Sequence, residues 1–221
     1  MQTKMGKVSG YVKTKFSFYE ISLGLAFLSF LIALPLVVFK KNNEPQNLSV
    51  LGSIPRFTLT NQESLPLNSD SLKGAVLVVN FVFTSCPDTC PLLTAQMKKI
   101  QSLLLEKNIQ GVRLVSISVD PRTDTPNVLK RYTKKYDLDL KNWDFLTGQT
   151  EEVQEIVVGG FKVSMQQYGV SEEETRDYSI MDVTHGEQFV VVDQAGHIRA
   201  YRSAKSRTDL DKIVSVIEKL I

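Results

Sequence analysis

Two cysteines with three residues between them, in CPDTCP from Cys86 to Pro91, are the residues of this chain best suited to chemistry. They are its only two cysteines, and His185 and His197 are its only two histidines. A thiolate attacks disulfides and binds soft metal ions, so two thiolates at one point can do either. If Cys90 opens a helix and Cys86 lies in the loop before it, both sulfurs face one mouth. The helix N-terminus then favours thiolate over thiol and lowers the pKa of both. The usual redox spacing has two intervening residues. Three leave room for an ion between the sulfurs, and a flexible loop still allows the Cα separation of about 4.4–6.8 Å that a disulfide requires. The bland alternative is a pair of buried structural cysteines.

An ion held by two sulfurs needs a further donor. His185, in VTHGEQ, stands just before an apolar run and could supply it. Two thiolates and an imidazole suit copper, with thiolate favouring Cu(I) and imidazole helping to hold Cu(II). A solvated loop histidine is the competing reading of His185, and the expected one for His197 in the turn DQAGH. A catalytic zinc site of three histidines is excluded by count.

These residues need elements to position them. AVLVVNFVF, residues 75–83, reads as a central strand buried on both faces, and the cysteines follow at once. Residues 91–107 carry Leu93, Met97, Ile100 and Leu104 at helical spacing behind Pro91. Residues 112–120 form a second strand. Residues 124–137 form a helix capped by Asp124 or Thr125 and opened by Pro126. A short strand at 142–148 and a helix over 150–169, interrupted by Gly159 and Gly160, come next. Residues 186–202 read as a hairpin turning at 193–196, and an amphipathic helix closes the chain. Before the central strand, residues 56–74 read as a short hairpin turning near Asn61 and Gln62. The order predicts an α/β fold: a thioredoxin-like mixed sheet flanked by helices, with the cysteine pair at the carboxyl end of a central strand.

The 221 residues carry a net charge of +2, placed unevenly. Residues 1–41 have a net +5 and the remainder a net −3, so the body has no basic excess to suggest a nucleic-acid partner. Residues 21–39 hold 19 uncharged residues, close to the roughly 20 that cross a bilayer. Four lysines precede this stretch and two follow it, which favours a cytoplasmic or matrix-side N-terminus. The expected organisation is a short N-terminus at 1–20, a single transmembrane anchor at 21–39, a polar linker at 40–55 and a thioredoxin-like domain at 56–221. A cleaved signal peptide fits less well, because the apolar stretch is long and no A-x-A-like cleavage site follows it.

Behind that anchor come NFVFTSCPDTCP, SVDPRTDTP and DVTHGEQFVVVDQAGHIRAY, in that order. This set resembles the Sco/SenC family of copper-binding assembly proteins over roughly residues 50–221. The resemblance implies a thioredoxin-like fold and copper ligation by Cys86, Cys90 and His185, with the two cysteines able to close a disulfide. It implies a part in building the dinuclear copper centre of cytochrome c oxidase subunit II, or a similar copper-receiving protein. Members act by copper delivery, by reducing the target's cysteines, or both. It also implies a soluble domain in the periplasm, outside a Gram-positive membrane, or in the mitochondrial intermembrane space. Asp120 and Asp124 match the family's DPxxDTP segment, either as contacts near the metal or a partner, or as structural residues. Two departures stand out. Gly186 follows the histidine where members often have Ser or Thr. Thr184–His185 occupies the neighbourhood where thioredoxins place a cis-proline, which disfavours a general thioredoxin-type reductase. A dedicated thiol-disulfide oxidoreductase and a redox or copper sensor are the rival functions. A peroxidase is weaker, for want of an arginine beside the cysteines.

Overall fold

The computed structural model describes residues 48–86, 89–163 and 188–221. Its centre is β4 (Val76–Val82), whose seven residues are all buried. Successive side chains of a strand point to opposite faces. Val76, Val78 and Val82 therefore enter one core, and Leu77, Val79 and Phe81 enter the other. β5 (Val112–Ser118) pairs with β4 in parallel, and β6 (Trp143–Thr147) pairs in parallel with β5. On the other side β7 (Gln188–Val192) runs antiparallel to β4, and β8 (His197–Ser203) antiparallel to β7. The hairpin of β2 (Thr58–Asn61) and β3 (Pro66–Asn68) extends the sheet beyond β6. With β1 (Gly52–Ser53) at the far edge, the full order is β1-β8-β7-β4-β5-β6-β2-β3.

The strand β1 (Gly52–Ser53) pairs with β8 inside the segment expected to be linker. The Leu51 N–H donates to the Ile198 carbonyl at 2.8 Å, and Arg199 donates to the Leu48 carbonyl. The compact unit accordingly runs from Leu48 to Ile221 rather than starting at residue 56. Two paired residues are too few for an alternation pattern, so nothing in the local sequence betrays this edge strand. The predicted span at 21–39 lies outside the described residues. Among the described residues no helix is long and apolar enough to cross a membrane.

Helices cover both faces. α1 (Thr89–Glu106), α2 (Pro126–Lys135) and α4 (Arg207–Glu218) pack on the first core through Met97, Leu129, Tyr132 and Ile213. α4 begins with a reciprocal cap: Ser206 Oγ accepts from the Asp209 N–H and Asp209 accepts from the Ser206 N–H. On the second face α3 (Thr150–Gln154) continues as a π-helical turn, Glu155–Gly160, that buries Ile156 and Val157. The helix ends at the glycines. A Cβ at Gly160 would lie 2.3 Å from Pro55 Cγ, so the proline ring, on the chain leaving β1, fits only against glycine. Gly160→Ala should lower stability by about 1–3 kcal/mol through overpacking. Denaturant unfolding checks this, and an unchanged midpoint would show that Pro55 yields without cost.

Candidate metal centre

β4 and β5 end side by side, with Val82 opposite Ser118, and their carboxyl ends define the site. Loops at this end of a parallel pair form the usual ligand crevice. From Val82 the chain runs through Phe83, Thr84 and Ser85 to Cys86, and α1 begins at Thr89. Cys90 is thus in the first turn of the helix and Cys86 in the loop before it, as the spacing predicts. The Cys90 N–H donates to Cys86 Sγ at 3.4 Å, and the Phe83 N–H donates to Cys90 Sγ at 3.4 Å. Both sulfurs are thiols in this structure. Each receives a backbone N–H that strengthens when the sulfur becomes anionic.

The expectation that the helix terminus lowers the pKa of both thiols fails at Cys90. Burial pushes the Cys90 thiol up to about 12, with the Phe83 N–H opposing and the neighbouring Cys86 and Asp124 adding to the rise. Cys90 is 4% exposed among apolar side chains, and removing a charge from water there outweighs the helix terminus. Cys90 therefore stays protonated near neutral pH until a cation supplies the compensating charge. Cys86 is only partly buried. Iodoacetamide at pH 7–8 should accordingly modify Cys86 well before Cys90, as peptide mass spectrometry would show. Faster modification of Cys90 would contradict its burial.

Asp124 is fully buried and caps no helix. The N-cap of α2 is Thr125, which makes no side-chain cap bond. The Asp124 carboxylate instead accepts from the Thr84 N–H at 3.1 Å, from Thr84 Oγ at 2.5 Å and from Ser118 Oγ at 2.6 Å. It fastens the loop that carries Cys86 to the end of β5, and its burial leaves no surface for a partner. Asp120 shapes the turn below it: its carbonyl accepts from the Thr123 and Asp124 N–H groups. The sequence reading did not single out Thr84 or Ser118. The signal was a hydroxyl residue at the end of each apolar strand, where a buried carboxylate needs donors.

His197 is half exposed, with Nδ1 3.4 Å from Asp193 Oδ2, at the other end of the sheet from the cysteines. His185 lies outside the described residues. Among the described residues no group of three or more His, Cys, Asp or Glu side chains is gathered to hold a metal ion.

The SCO1/SenC family description matches residues 48–221, the whole of the compact unit. The chain belongs to this family. It is 36% identical over 163 residues to the SCO1 protein homolog of Bacillus subtilis, covering 73% of this chain and 79% of that one. BsSco, a member of the Sco family of cytochrome c oxidase assembly proteins in which a disulfide switch has been identified, superposes with a TM-score of 0.64. That pair is 33% identical, over 76% of this chain and 93% of BsSco. Yeast Sco1 with copper bound shares the fold at a TM-score of 0.62 and 24% identity, over 77% of this chain and 91% of that one. The thioredoxin-like architecture expected from the order of elements is the architecture of this Sco domain.

Proposed function

We propose that this protein binds copper through Cys86, Cys90 and His185, and serves in assembling the dinuclear copper centre of cytochrome c oxidase subunit II. The observation that carries this reading is the sulfur pair, held at one helix start by the Phe83 and Cys90 N–H groups. Two sulfurs so placed form the soft half of a copper site. The strand register supports His185 as the third donor. Val190 pairs with Val79, so β7 starts beside the carboxyl end of β4, where the cysteines follow. His185 precedes Gln188 by three residues, within about 10 Å of chain. Family membership, and the copper held by yeast Sco1, support the choice of metal.

The test is copper titration of the reduced protein with X-ray absorption to count sulfur and nitrogen ligands. Two sulfurs and at least one imidazole nitrogen are expected. His185→Ala should weaken copper binding, most visibly for Cu(II), and His197→Ala should not. Unchanged Cu(II) affinity and spectrum in the His185 variant would reduce the site to its two sulfurs.

Residues 21–39 would anchor the domain outside the cytoplasm or matrix. Resistance to carbonate extraction and an extracytoplasmic reporter signal after Lys41 are the expected results. A second reading is supported by the same pair of thiols and by the disulfide switch of BsSco: reduction of the target's cysteines by Cys86 and Cys90. Disulfide exchange needs only the thiols, so a His185→Ala variant that loses copper but retains exchange separates the two.

A further inference from the structure

The cysteine pair is gripped from two sides by one segment of the chain. Asp124, just before α2, holds Thr84 in the loop that carries Cys86. Nearly two helical turns into α2, Tyr132 reaches the helix that carries Cys90. Its hydroxyl lies 2.8 Å from Thr94 Oγ, and both residues are buried. Thr94 follows Cys90 by four residues, so it stands directly above it on the same face of α1. Two further side chains of α1 continue this seam. Lys98 Nζ donates to the Tyr136 and Asp137 carbonyls at 3.2 and 2.6 Å. Gln101 Nε2 donates to the Asp139 carbonyl at 2.8 Å and to Asn142 Oδ1 at 2.7 Å. The Tyr132 ring is itself fixed, 4.7 Å from Tyr136 and 6.0 Å from Phe145.

We propose that Tyr132 is a positioning residue of the cysteine pair: through Thr94 it holds the first turn of α1, and with it Cys90, in the dithiol arrangement. This rests on reading Cys86 and Cys90 as the working pair. The hydroxyl pair is the member of the seam nearest the cysteines and both its residues are buried, so it resists local movement of Cys90 most directly. Closing the disulfide draws Cys90 toward Cys86 and strains the Tyr132–Thr94 bond. Removing that bond lowers the cost of closure and shifts the couple toward disulfide.

The couple is read against glutathione without copper, so loss of copper binding does not affect it. The Cys86–Cys90 disulfide plus two glutathione thiols gives two cysteine thiols plus glutathione disulfide. One S–S bond breaks and one forms, and two electrons and two protons pass to the protein. In the full-length protein in detergent, Tyr132→Phe and Thr94→Val are each expected to shift this equilibrium about fivefold toward disulfide, the size of one net hydrogen bond. That is about 20 mV for a two-electron couple. The double variant should shift it no further than either single one, because both remove the same bond. Thr94→Ser, which keeps the hydroxyl, and Tyr136→Phe should match the parent. If Tyr132→Phe does not fold, the Thr94→Val and Thr94→Ser pair decides. Potentials unchanged in Thr94→Val, or single shifts that add in the double variant, would overturn the proposal. If no variant, and not the parent, closes a disulfide at all, the reading of the pair fails instead.

Discussion

Cys86→Ser is expected to abolish tight Cu(I) binding while leaving the fold and the melting temperature near those of the parent. Serine offers a hard, protonated oxygen where Cu(I) requires a soft anionic sulfur, so the loss should exceed the about 10–100-fold that follows damage to residues outside the ligand set. Cys86 is partly exposed in a loop, and its replacement opens no cavity. Cys90→Ser should lose copper equally and also lose stability. Its sulfur is packed in the first core, against which Phe83 also lies, and a hydroxyl buried there has the Phe83 N–H as its donor in place of the sulfur's apolar contacts. Competition against a Cu(I) chelator of known affinity, with a thermal melt of each variant, checks both statements. A Cys86→Ser protein that holds Cu(I) within tenfold of the parent would remove Cys86 from the site.

The apolar run at residues 75–83 announced its own place, because only a strand covered on both faces tolerates seven consecutive buried residues. The cysteines after it and Pro91 behind them likewise fixed the start of α1 to within two residues. What escaped was everything held together across the chain. β1 is two residues that exist as a strand only because β8 has an open edge. Asp124 precedes a helix-opening proline and looks locally like a cap, yet Thr84, 40 positions earlier, claims its carboxylate. Nothing in the local sequence pairs Thr94 with Tyr132. Their bond joins positions 38 apart. The direction of the Cys90 shift escaped for a related reason. A helix terminus is visible in sequence, whereas the depth of burial that overrides it depends on what the other strands and helices bring.

Asp124→Ala should be the most destabilising single change near the site. It removes the acceptor of the Thr84 N–H, the Thr84 hydroxyl and the Ser118 hydroxyl at once, with Ser118 fully buried and Thr84 partly so. Buried donors left without partners cost about 1–3 kcal/mol each, and these three share one site, so a loss of about 3–5 kcal/mol is expected from denaturant unfolding. The Cys86 loop loses its tie to β5 in the same step, and copper affinity should fall about 10–100-fold. Asp124→Asn keeps one acceptor oxygen and should cost less, about 1–2 kcal/mol. Its dependence on pH is the sharper test. Burial holds the Asp124 carboxyl above its ordinary value of 3.8, against the bonds from Ser118 and Thr84 that favour the charged form. The folded protein therefore keeps this proton to a higher pH than the unfolded chain does. Across the window from 3.8 up to the raised value the folded state binds more protons, so the contribution of Asp124 is greatest at low pH and declines as pH rises. Asparagine has no such slope, and titrating groups away from the site cancel in the comparison. The stability gap between the parent and Asp124→Asn should then be widest near pH 4 and narrow toward pH 7. A gap that widens with rising pH would mean that the three hydrogen bonds outweigh burial, and that the carboxylate is the form the folded loop prefers.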